Sequence, residues 1–277
     1  MKDFRNKVVV VTGAGSGIGR AWALAFARRG ANLALNDVDQ AALNETISEV
    51  KSAGSVQVLA DVFDVGDREA MFRFASRVLV ELGAAHVVVN NAGVEGCNRP
   101  VWSTPPDALE RVMRINFYGV VNGTQAFLPH LQQNGEGHII NISSLFGLIG
   151  TPNQSDYCAS KFAVRGFSEA LMVELHDSPI DVHLVHPGGI ATRIARAPDS
   201  QKFAQKYLST PPEELVEFAL RAVQRGERRI VYGNQSFKTW LGARLLPLKW
   251  MNGLVLRDMA QILDRKDYPP PAANRRG

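Results

Sequence analysis

Val8-Val9-Val10-Val11-Thr12-Gly13-Ala14-Gly15-Ser16-Gly17-Ile18-Gly19 sets the architecture of everything that follows it. Four β-branched residues in unbroken succession form a short strand buried on both faces, because a half-exposed strand would alternate apolar with polar. After the glycine run, Ile18, Trp22, Ala25 and Phe26 recur at helical spacing. Strand, glycine turn and helix in that order bring backbone N–H groups and the positive end of a helix to one point, which suits a phosphate. The glycines run Thr-Gly-x-x-x-Gly-x-Gly, through Gly13, Gly17 and Gly19. The form Gly-x-Gly-x-x-Gly would need glycine at position 18, which is isoleucine.

Further along, the same unit repeats. A second strand, Ala31 to Asn36, ends in Asp37, eighteen residues beyond Gly19. A carboxylate there accepts hydrogen bonds from both hydroxyls of an adenosine ribose and repels a 2′-phosphate. Neither Ser16 nor Val38 supplies a cation for such a phosphate, so NAD is expected over NADP. A helix over Asp39 to Ala53 leads to a third strand, Val56 to Ala60, after which Asp61-Val62 offers an acid and an aliphatic wall to an adenine. Met71, Phe74, Val78 and Leu82 mark the next amphipathic helix. Val87-Val88-Val89 closes in Asn90-Asn91-Ala92-Gly93, where small residues and amides suit a ligand passing close to backbone. Short apolar strands alternating with amphipathic helices predict an α/β fold: a Rossmann-like doubly wound parallel sheet with helices on both faces, three layers in all. Ligands of such sheets bind beyond the C-terminal strand ends, where every feature named so far falls.

The second half carries the chemistry. Pro105 to Gln133 is a long helical region, and Asn116 within it, close to Gly119, is expected to loosen the helix and hold a water. His138 to Ser144 reads as a strand delivering hydroxyls to its end. Tyr157 and Lys161 stand four apart on a helix from about Ser155 to His176 and so share a face. A free phenol ionises near pH 10, and a neighbouring ammonium is expected to bring that value down and make the proton available. A sixth strand, Val182 to Val185, ends in His186-Pro187-Gly188-Gly189-Ile190-Ala191-Thr192, where exposed backbone and a hydroxyl can meet a polar ring substituent.

Thr12-Gly13-x-x-x-Gly17-x-Gly19, Asp61-Val62, Asn90-Asn91-Ala92-Gly93, Asn116, Ser144, Tyr157-x-x-x-Lys161 and Pro187-Gly188, in this order and spacing, resemble the short-chain dehydrogenase/reductase family in its single-domain form, over roughly residues 5 to 232. The resemblance implies that Tyr157 is the general acid/base, Ser144 orients the substrate oxygen, Lys161 binds the nicotinamide ribose and tunes the tyrosine, and Asn116 holds a proton-relay water. It implies a dinucleotide cradled by Gly13, Ser16, Gly17, Ile18 and Gly19 and selected as NAD by Asp37. Asp61 and Val62 then border its adenine, Asn90, Ala92 and Gly93 lie along it, and Pro187, Gly188, Ile190 and Thr192 adjoin the carboxamide end. It also implies a homodimer or homotetramer paired through residues 105–133 and 155–176.

Composition narrows the rest. The 277 residues are 45% apolar and 21% charged, an ordinary globular balance without repeats. Four apolar residues after Lys7 are too few for a signal-peptide core, and no apolar run is long enough to span a bilayer. Cys97 and Cys158 lack the spacing of a metal or redox pair, which fits a reducing cytoplasm. The six histidines are scattered, structural roles are expected of His183 and His186, and no metal site is proposed. Net charge is +4, but residues 221–277 hold twelve Lys/Arg against four Asp/Glu, a net +8, which leaves −4 for residues 1–220. The body thus carries no electrostatic signature of nucleic-acid binding. Residues 1–235 are expected to form one dehydrogenase domain and 236–277 a basic amphipathic extension. Phe237 to Leu263, broken by Pro247 and Gly253, forms either a cap over the substrate cleft, a helix lying on anionic lipid, or added core or oligomer packing. The last residues, Tyr268 to Gly277, are expected to be mobile. Apolar segments 94–102, 145–152 and 194–207, with Val94, Trp102, Leu145, Phe146 and Leu148, predict a hydrophobic secondary alcohol or ketone of steroid, retinoid or lipid type. The alternatives are an NAD-binding sensor or scaffold without catalysis, and a ketoacyl-type carbonyl reductase, which would generally take NADPH. A sugar epimerase of the extended branch would need other glycine spacing.

Overall fold

The computed structural model describes all residues except Lys2, Ser55, Arg193, 195–199 and 270–277. The first half runs β1 (Val8–Thr12), α1 (Gly17–Ala27), β2 (Asn32–Asp37), α2 (Gln40–Ala53), β3 (Val58–Val62), α3 (Arg68–Glu81) and β4 (Val87–Asn90). The second runs α4 (Pro106–Met113), α5 (Gly119–Asn134), β5 (Gly137–Ile142), α6 (Ser155–Glu174), β6 (Ile180–Pro187), α7 (Gln201–Tyr207), α8 (Pro212–Gln224) and β7 (Arg229–Tyr232). Two further helices, α9 (Ser236–Leu245) and α10 (Leu248–Met259), follow the last strand. The strands form one parallel sheet in the order β3-β2-β1-β4-β5-β6-β7. The chain winds outward one way from β1 and then the other from β4, so a crevice opens between those two strands at their C-terminal ends.

The valine run is apolar throughout because both faces of β1 are covered. Val9 and Val11 pack into the layer with Trp22, Phe26, Leu43, Leu215 and Leu220, while Val8 and Val10 face Met71, Phe74, Phe127 and Leu131. Complete burial of a side chain of this kind contributes roughly 1.5–3 kcal/mol over leaving it exposed, so each face has its own core and the three layers follow. Asp39 and Asp67 begin α2 and α3 by accepting the N–H of Ala42 and Ala70 at 3.0 and 2.9 Å.

Several elements differ from those read in the sequence, β6 among them, which runs Ile180–Pro187 rather than Val182 to Val185. β3 starts and ends two residues later than Val56 to Ala60, so Asp61 and Val62 are strand residues. β5 stops at Ile142, and Ser144 instead accepts the N–H of Phe146 at 3.1 Å, beginning a short 3₁₀ turn over Leu145–Gly147. The helical stretch around Asn116 is interrupted by a π turn, Arg114–Tyr118. That is the loosening expected there: a wide turn bears one extra residue and is common where a helix serves a site. Pro247 does divide the C-terminal helices, whereas Gly253 sits inside α10 without ending it. Beyond α10, Tyr268 is held in place by donating to Asn153 Oδ1 at 3.0 Å and by an edge-on contact with Trp102. Residues 270–277 of the segment expected to be mobile lie outside the described residues. No helix among the described residues is long and apolar enough to cross a membrane.

Candidate active site

A cleft of about 960 Å³ opens at the C-terminal ends of the strands, running from the glycine turn to the underside of α9 and α10. Its floor at one end is the turn between β1 and α1. Gly13 has φ +65°, and a Cβ there would come within 2.8 Å of the Ala92 backbone. A Cβ on Gly19 would strike the carbonyl oxygen of Gly13, so helix and turn approach as closely as backbone allows. Asn91 fastens this turn to β4, donating to the carbonyls of Thr12 and Gly13 at 2.9 and 3.2 Å. Ser16 makes no side-chain cap and no acid stands in the first turn of α1. The N–H groups there stay open to an anion. Asp37 lines the cleft beyond, its carboxylate accepting the N–H groups of Gly15 and Asp39 at 2.7 and 3.0 Å. Arg20, a nearby cation, is turned away onto the Gly15 carbonyl and onto Glu45 and Glu49 of α2. The residues present therefore fit a dinucleotide with an unphosphorylated ribose.

At the other end Ser144, Tyr157 and Lys161 converge. The Ser144 hydroxyl stands beside the Tyr157 phenol and acts to lower its pKa, and the phenol ring packs edge-on to Phe146 at 6.0 Å between centroids. Lys161 is 3% exposed, its Nζ donating to the Ile142 carbonyl at 3.1 Å and standing 5.6 Å from the centre of the Tyr157 ring. The electrostatics run opposite to the sequence expectation. Burial pushes Tyr157 up to about 12, against a smaller lowering from the Ser144 hydroxyl. Burial also brings Lys161 down to about 8, where it still carries most of its charge at neutral pH. A buried phenol and a buried ammonium each lose hydration, and at this separation that loss outweighs their mutual attraction.

Gly13, Ser16, Gly17, Ile18, Asp37, Ala92, Gly93, Pro187, Gly188, Ile190 and Thr192 all line the cleft as the sequence led one to expect, together with the catalytic candidates Ser144, Tyr157 and Lys161. Gly19 lies just behind the turn. Three other expectations are corrected. Asp61 pairs with Arg77 and Val62 is 42% exposed, and neither lines the cleft; Phe63, Asp64 and Val65 do, with Asp64 paired to Arg114 at 2.7 Å. Asn90 is buried, donating to Asn141 and Thr124 at 2.9 and 3.1 Å, and the amide at the cleft belongs to Asn91. Asn116 is wholly buried; its side chain accepts from Val94 N–H at 2.8 Å and donates to the Val94 carbonyl and Ser160 hydroxyl at 3.0 and 3.1 Å. Its side chain thereby braces the loop after β4 against α6.

The substrate end is lined by Val94, Leu145, Phe146, Ile149, Phe203 and Tyr207, with Phe146, Phe203 and Tyr207 in successive ring contact. Of the apolar residues expected there, Trp102 and Leu148 stand outside the cleft wall. α9 and α10 roof this end with Lys238, Gly242, Leu246, Met251, Leu254 and Val255. The roof is fastened where Tyr207 donates to the Asp258 carboxylate at 2.6 Å and Lys206 to the Asp258 carbonyl at 2.6 Å. This packing accords with the cap among the alternatives for the segment. Periodicity alone could not show it, since the contact joins α7 to α10 across fifty-one residues.

The sequence profile of the family described as short chain dehydrogenase matches residues 7–202. Putative oxidoreductase SadH of Mycobacterium tuberculosis is 44% identical over 258 residues, covering 89% of this chain and 93% of that protein. Epidermal retinol dehydrogenase 2 of Mus musculus is 42% identical over 173 residues, 62% of this chain and 56% of that one. Among solved structures, a short chain dehydrogenase/reductase from Burkholderia phymatum in complex with NAD superposes with a TM-score of 0.80 at 26% identity, covering 99% of this chain and all of that one. Levodione reductase gives 0.77 at 28% identity, covering 84% and 98%.

Proposed function

The chain belongs to the short-chain dehydrogenase family, and from that membership we propose that it is an NAD-dependent enzyme interconverting a hydrophobic secondary alcohol and its ketone. The observation that carries this is the convergence of Ser144, Tyr157 and Lys161 in the wall of the cleft that begins at the glycine turn. Bound along that cleft, NAD supplies or accepts the hydride. Ser144 and Tyr157 hold the substrate oxygen by hydrogen bonds. In reduction Tyr157 donates its phenolic proton to that oxygen, and in oxidation the same atom takes the proton back. Lys161, a cation below about pH 8, holds the cofactor ribose and stabilises the phenolate left after donation. Asn116 acts at one remove, fixing Val94 and Ser160 on either side of these groups.

Asp37 supports NAD over NADP, since its carboxylate would meet a 2′-phosphate and Arg20 is already engaged. The aromatic wall supports a steroid-, retinoid- or lipid-like substrate, as does the likeness to a retinol dehydrogenase and to levodione reductase. Residues 1–235 would be the catalytic unit and those after 235 its roof. Exposed Leu109, Tyr118, Phe162 and Val173 on α4, the π turn and α6 support pairing of copies through those elements.

Titration with NADH and with NADPH, followed by a panel of alcohols and ketones read at the reduced-nicotinamide absorbance, tests the assignment. NADH is expected to bind more tightly, and Tyr157→Phe to lose at least about a hundredfold in turnover while binding NADH normally. Full turnover in that variant would remove the proposed acid, and NADH binding without turnover of any substrate in the native chain would favour a sensor.

A further inference from the structure

α9 and α10 present two different faces. Lys238, Gly242 and Leu246 fall at i, i+4 and i+8 on α9 and line the cleft. Phe237, Leu241 and Leu245, one position earlier, form a parallel stripe that is 67%, 38% and 66% exposed. On α10 the inward residues are Met251, Val255 and Met259, while Leu248 and Trp250 are 74% and 65% exposed. Leu254 belongs to both sides, lining the cleft and still 48% exposed, so it stands at the cleft's rim. An apolar stripe on each of two consecutive helices is more than scattered surface hydrophobics provide.

Charge indicates what covers it. Beside these stripes stand Arg244, Lys249 and Arg257, all exposed, with Lys238 on the cleft side, and the helices hold one acid, Asp258, already bonded by Tyr207 and close to Lys206. A second copy laid on this face would set three cations against three. An anionic lipid surface meets both features: aromatic and aliphatic side chains enter the acyl boundary while Lys and Arg stay at the headgroups.

We propose that α9 and α10 dock the protein on an anionic bilayer, with the rim of the cleft against the lipid, so that an apolar substrate enters from the membrane. The docking stands on the exposed stripe and its cations; only the direction of substrate entry rests on the oxidoreductase reading given above.

The test is flotation of the full chain with vesicles of phosphatidylcholine alone and of phosphatidylcholine mixed with phosphatidylglycerol, at low and high salt. The native chain is expected to float with the mixed vesicles and at least tenfold less with the neutral ones, and to be released by salt. The triple variant Leu245→Ser, Leu248→Ser, Trp250→Ser should lose at least tenfold in retention while keeping native NADH binding. None of the three lines the cleft. Arg244→Gln with Lys249→Gln should weaken retention on mixed vesicles and abolish its salt dependence in large part. No flotation of the native chain, or unchanged flotation of the triple variant, overturns the proposal. So does light scattering in which the triple variant breaks an oligomer into smaller species, since a second copy would then be the occupant. Flotation needs no turnover, so a chain that floats yet oxidises no alcohol would overturn the enzymatic reading and leave the docking intact.

Discussion

At the end of β3 the chain spells Asp-Val twice in close succession, at 61–62 and again at 64–65, and one copy lines the cleft. Where β3 stops decides which, because side chains along a strand point alternately and the cleft begins past its end. With β3 ending at Val62, Asp61 pairs with Arg77 of α3 away from the cleft, while Asp64, paired with Arg114, and Val65 reach the cleft wall. Asp61→Asn is expected to leave NADH affinity within about twofold. Asp64→Asn should weaken it roughly tenfold, the equivalent of about 1.4 kcal/mol, by fluorescence titration. Equal effects of the two would reject this assignment. The signal was present, in that Asp67 three residues on is the cap of α3 and fixes where the loop must end. Tyr157 and Lys161 were legible from their spacing on one helix, and Ser144 from the family resemblance that carries all three. Their ionisation was not, since it depends on burial, which a spacing does not reveal.

At the scale of elements, periodicity found the first six strands and the helices between them, but not α7 or α8, and missed what depends on distant partners. Asn116 announced a disturbed helix, but its partners Val94, in the loop after β4, and Ser160, on α6, are ones no local pattern predicts. The roof is a similar case. A phenol donating to a carboxylate at 2.6 Å is a charge-assisted bond worth about 1.5–3 kcal/mol, and here it ties α10 to α7. Tyr207→Phe should therefore raise hydrogen exchange of α10 amides by about tenfold or more while the main melting transition stays in place. Unchanged exchange would mean that apolar packing alone holds the roof.

Across the whole molecule, a sheet covered on both faces is legible because continuous valine runs have no other soluble use. Its cost is buried histidine. His138 lies against His183, Asp181 and the N-terminal amine; His186 bonds the Ser144 carbonyl near Arg165, Glu169 and Arg229. Burial lowers both to about 4. The unfolded chain, titrating near 6.5, binds more protons than the folded one between those values, so stability falls as pH drops from about 6.5 to about 4. The loss is on the order of 3 kcal/mol for each histidine. Denaturant unfolding at stepped pH should show this slope, and His186→Asn should flatten it; a native profile level over that range would refute it. The roof helices, for their part, join this sheet by one short junction after β7 and add no strand to it. What the protein admits and what makes it melt are thus written in separate stretches, and mutation can drift the first toward new guests without disturbing the second.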